Sequence, residues 1–323
     1  MSRRVIVTAA IVALAAVVGV TVWHFSRPAS KKPQSAEFPI MGTLCRVTVY
    51  DPAQLPIAYT VAKMEFDRVN AVCSLYAPAS ELSRLNATAA HDKFLCSPLM
   101  WTLLMRAKQG YEESGGEFDV TVKPLMDLWG FYRKRGESKP TPEEIAAALK
   151  KVGMDKLVLD PADKSVRFTV PGMALDLGGI AKGYAADLAA SAMVRVGIRR
   201  GVVDIGGNLR FLPEPPPDRE CYRVAIRDPK NPDGTLPELL SVRPGLAVST
   251  SGDYERFVVI GGERFGHIIS PKTGIPRPVP AATVVAATGL DADVMSTSCC
   301  LGGEATAERL RGLHPGTEII FAK

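Results

Sequence analysis

Apolar residues run without a charge from Val5 to Trp23 (VIVTAAIVALAAVVGVTVW), directly behind Arg3-Arg4. As a helix, roughly 19 residues at ~1.5 Å rise span about 28 Å, close to the ~30 Å hydrocarbon core of a bilayer. The positive-inside rule keeps the two arginines cytoplasmic and sends everything after Trp23 across the membrane. Residues 1–25 read as an uncleaved anchor or as a signal peptide. Bulky Trp23-His24-Phe25 offers no small-residue cleavage site, and no Cys follows for lipid modification. Both forms predict an exported, periplasmic body, held at the inner membrane if the anchor stays. The polar, Pro-bearing stretch 26–38 reads as a linker, with a single domain over 39–323.

Within that domain the periodicity changes repeatedly. Leu44 to Tyr50 alternates as a strand, whereas Ile57–Val72 and Pro98–Glu113 repeat at helical spacing. Thr141-Pro142-Glu143-Glu144 predicts a capped helix reaching about Val152. LVLD and SVRFTV, separated by Pro161-Ala162-Asp163-Lys164, predict a hairpin. Ala174–Leu177 reads as a strand end feeding, through Gly178-Gly179, a helix from about Ile180 to Val196. Val202 to Phe211 reads as a strand broken by Gly206-Gly207. Further β segments lead to a helix from about Asp293 to Leu301, a second helix, and a last strand, EIIFA. Strands in mixed order with interspersed helices, and no internal repeat, predict one α+β domain, with room in its length for two lobes.

Composition narrows the chemistry. With 39 basic and 34 acidic residues the formal net charge is +5, and no long Lys/Arg run occurs, which disfavours a nucleic-acid partner. The six cysteines contain no CxxC, so a structural zinc site is not indicated. In an oxidising compartment they are able to form disulfides that the sequence does not pair.

Three stretches carry candidate chemistry. In Asp176-Leu177-Gly178-Gly179-Ile180-Ala181-Lys182 a strand, glycines and a helix start bring free N–H groups and a positive dipole end together. That suits a phosphate, with Lys182 adding charge; the plainer alternative is a structural glycine turn with a solvated lysine. Asp293 and Thr297 stand four apart and share a helix face, a hard-oxygen pair suited to Mg²⁺. The alternative is that Asp293 caps its helix and Thr297 only packs. His267, in Phe265-Gly266-His267-Ile268-Ile269, lies where a strand runs into a turn.

Together these stretches resemble the ApbE family of FAD:protein FMN transferases. The match runs in order through Met41-Gly42-Thr43, Ser74-Leu75-Tyr76, Ser80-Glu81-Leu82 with Asn86, and Phe118-Asp119-Val120-Thr121-Val122-Lys123-Pro124-Leu125 with Leu128-Trp129-Gly130-Phe131. It continues through Asp176 to Tyr184, Gly206-Gly207-Asn208, Ser251-Gly252-Asp253-Tyr254-Glu255-Arg256, His267-Ile268-Ile269 with Pro271-Lys272-Thr273-Gly274, and Asp293 to Thr297.

The resemblance implies a T-fold-related α+β domain holding FAD between two lobes. It implies a Mg²⁺-dependent enzyme that moves FMN from FAD to a Thr or Ser hydroxyl of an acceptor protein and releases AMP. The metal falls to Asp293, Thr297 and the backbone of Ala181, and the general base to His267. The flavin nucleotide falls to Met41, Tyr76, Asp119, Gly178, Gly179, Lys182, Ser251, Gly252 and Asp253. Expected acceptors are envelope redox subunits, such as those of sodium-pumping quinone reductases, or regulators of nitrous oxide reduction. An FAD pyrophosphatase and a non-catalytic envelope flavin binder are the alternatives. Departures are Ser270 where the family has Asp after the HII triplet, Asp204 where Asn is frequent, and Val294-Met295 for Ala-Leu.

Overall fold

The hairpin formed by Gln34–Ile40 (β1) and Thr43–Val49 (β2) opens the fold, its register running from Gln34 opposite Val49 to Ile40 opposite Thr43. The computed structural model describes residues 32–132, 136, 138–228, 231–253, 256–278 and 280–322. The apolar leader lies outside them, and among the described residues no helix is long and apolar enough to cross a membrane. The linker ends earlier than its composition suggested: residues 34–38 belong to β1. The reason is tertiary. Phe38 is buried against Tyr59 and Phe66, so an otherwise polar strand is anchored at one residue.

After β2 come helices α1 (Leu55–Cys73) and α2 (Glu81–Thr88), strand β3 (Phe94–Leu95), and helices α3 (Pro98–Ser114), α4 (Lys123–Leu128) and α5 (Pro142–Leu149). Strands β4 (Leu157–Asp160) and β5 (Ser165–Phe168), helix α6 (Ala181–Arg195), and strands β6 (Gly201–Ile205) and β7 (Asn208–Phe211) follow. Next are β8 (Tyr222–Asp228), β9 (Asn231–Val242), β10 (Ala247–Ser251), β11 (Phe257–Ile260), β12 (Glu263–Gly266) and β13 (Ala281–Ala286). Helix α7 (Gly289–Leu313) and strand β14 (Glu318–Ala322) close the chain.

Seven strands make one antiparallel sheet in the order β1-β2-β6-β7-β10-β13-β14. Three helices cover one face: α1 against β1 and β2, α6 against β6 and β7, α7 against β10 and β13. The other face carries the β8–β9 hairpin, whose Tyr222 and Val242 pack on Phe211, Val248 and Val285. Covered on both sides, β13 (AATVVA) is buried at every position and reads as a continuous apolar run rather than an alternation. A smaller core of Leu125, Trp129, Phe131, Ile260 and Ile269 joins α4, α5 and the β11–β12 hairpin.

Several expectations change in detail. Thr141 caps α5 through a complete capping box, as its sequence required. Ala174–Leu177 joins no sheet: Asn86 donates to Leu175 O (3.0 Å) and accepts from Leu175 N (2.7 Å), filling the place of a neighbouring strand. Val202–Phe211 is a hairpin, not an interrupted strand. The two C-terminal helices are both present, as the sequence predicted, and meet at a kink at Gly303, whose φ of 62° and ψ of −152° break the helical path. The first of them starts a turn before Asp293, with Thr288 accepting from Asp291 N as its cap. Asp293 is therefore not the cap, and its carboxylate is free for other work. None of the six cysteines forms a disulfide.

Candidate active site

A cavity of about 1060 Å³ opens between the sheet and the smaller core, larger than the ~300–1,000 Å³ usual for small-ligand pockets. Two tight turns form part of its wall. Met41-Gly42 joins β1 to β2 with φ of 51° and 73°, and Gly206-Gly207 joins β6 to β7 with φ of 57° and 82°. Both are two-residue hairpin turns with positive φ at each central position, the type that follows the right-handed twist of the strands. Gly206 has a second constraint, since a Cβ there would come within 2.6 Å of Thr43 Oγ1.

The acid–alcohol pair lies on the cavity wall beside the glycine turn. Asp293 is 2% exposed, and its Oδ2 accepts from Gly183 N at 2.9 Å. Burial raises its pKa above the ordinary carboxylate value, opposed by the charge of Lys182 and by hydrogen bonding. Thr297 Oγ1 lies 3.3 Å from Ser251 Oγ and would be 3.4 Å from a Cβ on Gly179. Ser251 Oγ is in turn 2.8 Å from Ser296 Oγ, which donates to the Asp293 carbonyl at 3.1 Å. The hydroxyl next to the acid is thus tied to β10 and to its own helix.

The glycine turn is less open than its sequence suggested. Gly178 N donates to Asp176 Oδ1 (2.8 Å), Gly183 N to Asp293, and Ala181 N to Leu177 O (2.9 Å). Lys182 Nζ folds back onto Gly178 O at 2.9 Å. Two of the donors expected to hold phosphate thus go to carboxylates of the protein, and two to backbone carbonyls. What the turn presents to the cavity is therefore acidic, and a cation answers it better than a bare anion does.

His267 is half-buried and lines the same cavity. Burial, aided by the nearby Lys182 charge, pushes its pKa down to about 4. Its Nδ1 lies 3.1 Å from the carbonyl oxygen of Arg256. A carbonyl only accepts, so Nδ1 carries the proton and Nε2 keeps the free lone pair. Ser270, standing where a carboxylate was expected, is buried and accepts from Thr273 N at 3.3 Å, closing the Pro271-Lys272-Thr273 turn.

Arg256 connects this histidine to an aromatic ledge. Its guanidinium donates to Tyr76 OH (3.1 Å) and Phe131 O (2.6 Å) and lies 5.0 Å from the Tyr132 ring. Tyr76 is 69% exposed, a ring open to stacking, and stands 5.7 Å from Tyr132. Tyr132 OH donates to Asp176 Oδ2 at 2.6 Å, linking the ledge to the glycine turn. Asp119 is buried at the cavity wall, with its pKa raised to about 6 by desolvation and moderated by hydrogen bonds from Thr121.

A family model described as "ApbE family" matches residues 41–321, nearly the whole described chain. This chain belongs to the ApbE family. Relatives named FAD:protein FMN transferase include those of Rhodobacter capsulatus (34% identical, over 84% of this chain and 51% of the relative) and Haemophilus influenzae (32%, 82% and 79%). The chain thus spans about half the length of the Rhodobacter protein. Among solved structures, the ApbE protein of Thermotoga maritima superposes with a TM-score of 0.80 at 27% identity, covering 90% of this chain and 94% of that one. The flavin transferase ApbE of Vibrio cholerae gives 0.77 at 28%, covering 90% and 93%.

Of the residues matched to ApbE positions, Met41, Tyr76, Asp119, Gly178, Gly179, Ala181, Lys182, Ser251, Gly252, His267, Asp293 and Thr297 line the one cavity. Asp253 does not: it packs where a Cβ on Gly266 would fall, behind the wall. Tyr132, Asp176, Arg256 and Glu117 also line it and were not singled out. Asp176 and Arg256 lay inside matched motifs, which was a usable signal. Tyr132 follows a motif by one residue, and Glu117 precedes one. Their chemistry depends on partners far along the chain.

Proposed function

We propose that this ApbE-family chain transfers FMN from FAD to a Ser or Thr hydroxyl of an acceptor protein, releasing AMP, with Mg²⁺ bound by Asp293, Thr297 and the Ala181 carbonyl. The observation that carries it is the acid–alcohol pair beside the glycine turn, in one cavity with a neutral histidine. Among the described residues no group of three His, Cys, Asp or Glu is gathered for a metal. Magnesium commonly takes one or two carboxylates and completes its shell with phosphate and water. A buried carboxylate with a hydroxyl beside it is a fitting donor set.

The protein's own groups then have definite tasks. Tyr76 stacks on the isoalloxazine at the cavity mouth. His267 Nε2 takes the proton of the acceptor hydroxyl as its oxygen bonds to the FMN phosphorus. The bond from that phosphorus to the bridging oxygen breaks, and its electron pair leaves with AMP. Bound Mg²⁺ supplies charge neutralisation for the diphosphate. Burial, with the Lys182 charge beside it, keeps the histidine unprotonated. The charge-free leader after Arg3-Arg4 supports a periplasmic, inner-membrane-anchored enzyme whose acceptors are envelope electron-transfer subunits or nitrous-oxide-reduction regulators.

The test incubates the protein with FAD, Mg²⁺ and a candidate acceptor domain and reads intact mass. A gain of one FMN less water on the acceptor, absent for Asp293→Ala and without Mg²⁺, is expected. Release of free FMN and AMP with no adduct assigns hydrolysis instead. Binding of FAD with no AMP leaves a binder only.

A further inference from the structure

Helices α6 and α7 carry the same short pattern, Gly183-Tyr184-Ala185-Ala186-Asp187 and Gly289-Leu290-Asp291-Ala292-Asp293. In each, an Asp follows a Gly by four residues, so the two share a helix face. The helices cross with these faces together and their backbones touching. A Cβ on Gly183 would overlap the Gly289 carbonyl oxygen, and a Cβ on Gly289 would meet Gly183 O.

Across the crossing each helix gives its carboxylate to the other. Asp187 Oδ1 accepts from Gly289 N at 2.8 Å, and Asp293 Oδ2 accepts from Gly183 N at 2.9 Å. Asp187 Oδ2 also takes Leu290 N at 2.9 Å. All three amides lie in a first helical turn, where no intrahelical acceptor exists. Besides that extra amide, the halves differ in what balances the charge. Asp187 has Arg210 Nε at 3.0 Å, a guanidinium itself held by Gly245 O and Ala287 O. Asp293 forms no ion pair among the described residues and faces the cavity instead.

We infer that Asp187 is a positioning residue for the cation site, the closed half of a reciprocal clasp whose open half is Asp293. Ala181 and Asp293 stand on different helices, and nothing within either helix sets their separation. The Asp187–Arg210 end pins the crossing from behind and holds the two halves of the cradle in register. A cation bound at Asp293 would take the part that the Arg210 guanidinium takes at Asp187. This inference rests on the Mg²⁺ reading above for its functional meaning, and its geometry stands without it.

Asp187→Asn keeps the size and one acceptor while removing the charge that faces Arg210; Asp187→Ala removes both. Titration calorimetry of the full chain with MgCl₂ and no FAD is expected to show affinity roughly tenfold weaker for Asp187→Asn, and weaker again for Asp187→Ala, the scale usual for residues that orient metal ligands. Hydrogen exchange at Gly183 is expected to quicken in both, while FAD affinity in chelator stays at the wild-type value. A folded Asp187→Asn protein with wild-type Mg²⁺ affinity and wild-type protection at Gly183 overturns the inference, even if its Tm falls. Should Asp187→Ala fail to fold, Asp187→Asn decides. Should the wild type bind no Mg²⁺, the metal reading fails, and Gly183 exchange alone decides whether Asp187 positions Asp293.

Discussion

His267 shows how one residue's surroundings set its chemistry. An imidazole titrates near 6.5 when solvated, but burial and Lys182 hold this one at about 4. A general base must be neutral to accept a proton. Its contribution to rate is therefore lost as pH falls through about 4 and stays flat across the neutral range. A profile of kcat against pH in the transfer assay is expected to show its acid limb near 4 rather than 6.5, and His267→Ala is expected to lose roughly 10²- to 10⁴-fold. A limb near 6.5 contradicts the assignment. The sequence offered this histidine plainly, being one of four, and flagged Ser270 as a departure. It did not disclose that the Arg256 carbonyl takes the orienting hydrogen bond, because a backbone acceptor carries no residue signature.

At the scale of elements, the α6–α7 crossing tolerates little. Gly183 sits where its backbone touches Gly289, so an added methyl has nowhere to go. The clash is with backbone rather than with a movable side chain. Gly183→Ala is expected to destabilise the protein by about 3 kcal/mol or more, measurable by urea unfolding, despite alanine's better helix propensity. Gly197→Ala makes a useful contrast, since no atom lies near its Cβ position and its cost comes only from a φ of 86°. Helix periodicity placed α6 to within a residue at each end. The crossing stayed hidden because the sequence pattern for a helix describes which face is apolar, not which glycine meets which neighbour.

At the scale of the molecule, one sheet with helices on one face and a hairpin on the other leaves its open side to the cavity. Ligands that bind only the folded state stabilise it by mass action, about 2.7 kcal/mol at a hundredfold excess over Kd. FAD with Mg²⁺ is therefore expected to raise Tm by roughly 5 °C, with the Mg²⁺-dependent part abolished in Asp293→Asn. Thermal scans with FAD alone, Mg²⁺ alone and both together separate the two contributions. Local pattern was enough for the capping box at Thr141, the long helices α1 and α3, and the spacing of Asp293 from Thr297, because each rests on contacts within a few residues. The strand order, the conversion of a phosphate-ready glycine turn into one occupied by carboxylates, and the exchange between Asp187 and Asp293 needed the folded chain. The bonds that matter most, Gly183 to Asp293 and Gly289 to Asp187, join residues more than a hundred positions apart, and no periodicity along a sequence records which distant donor meets which acceptor.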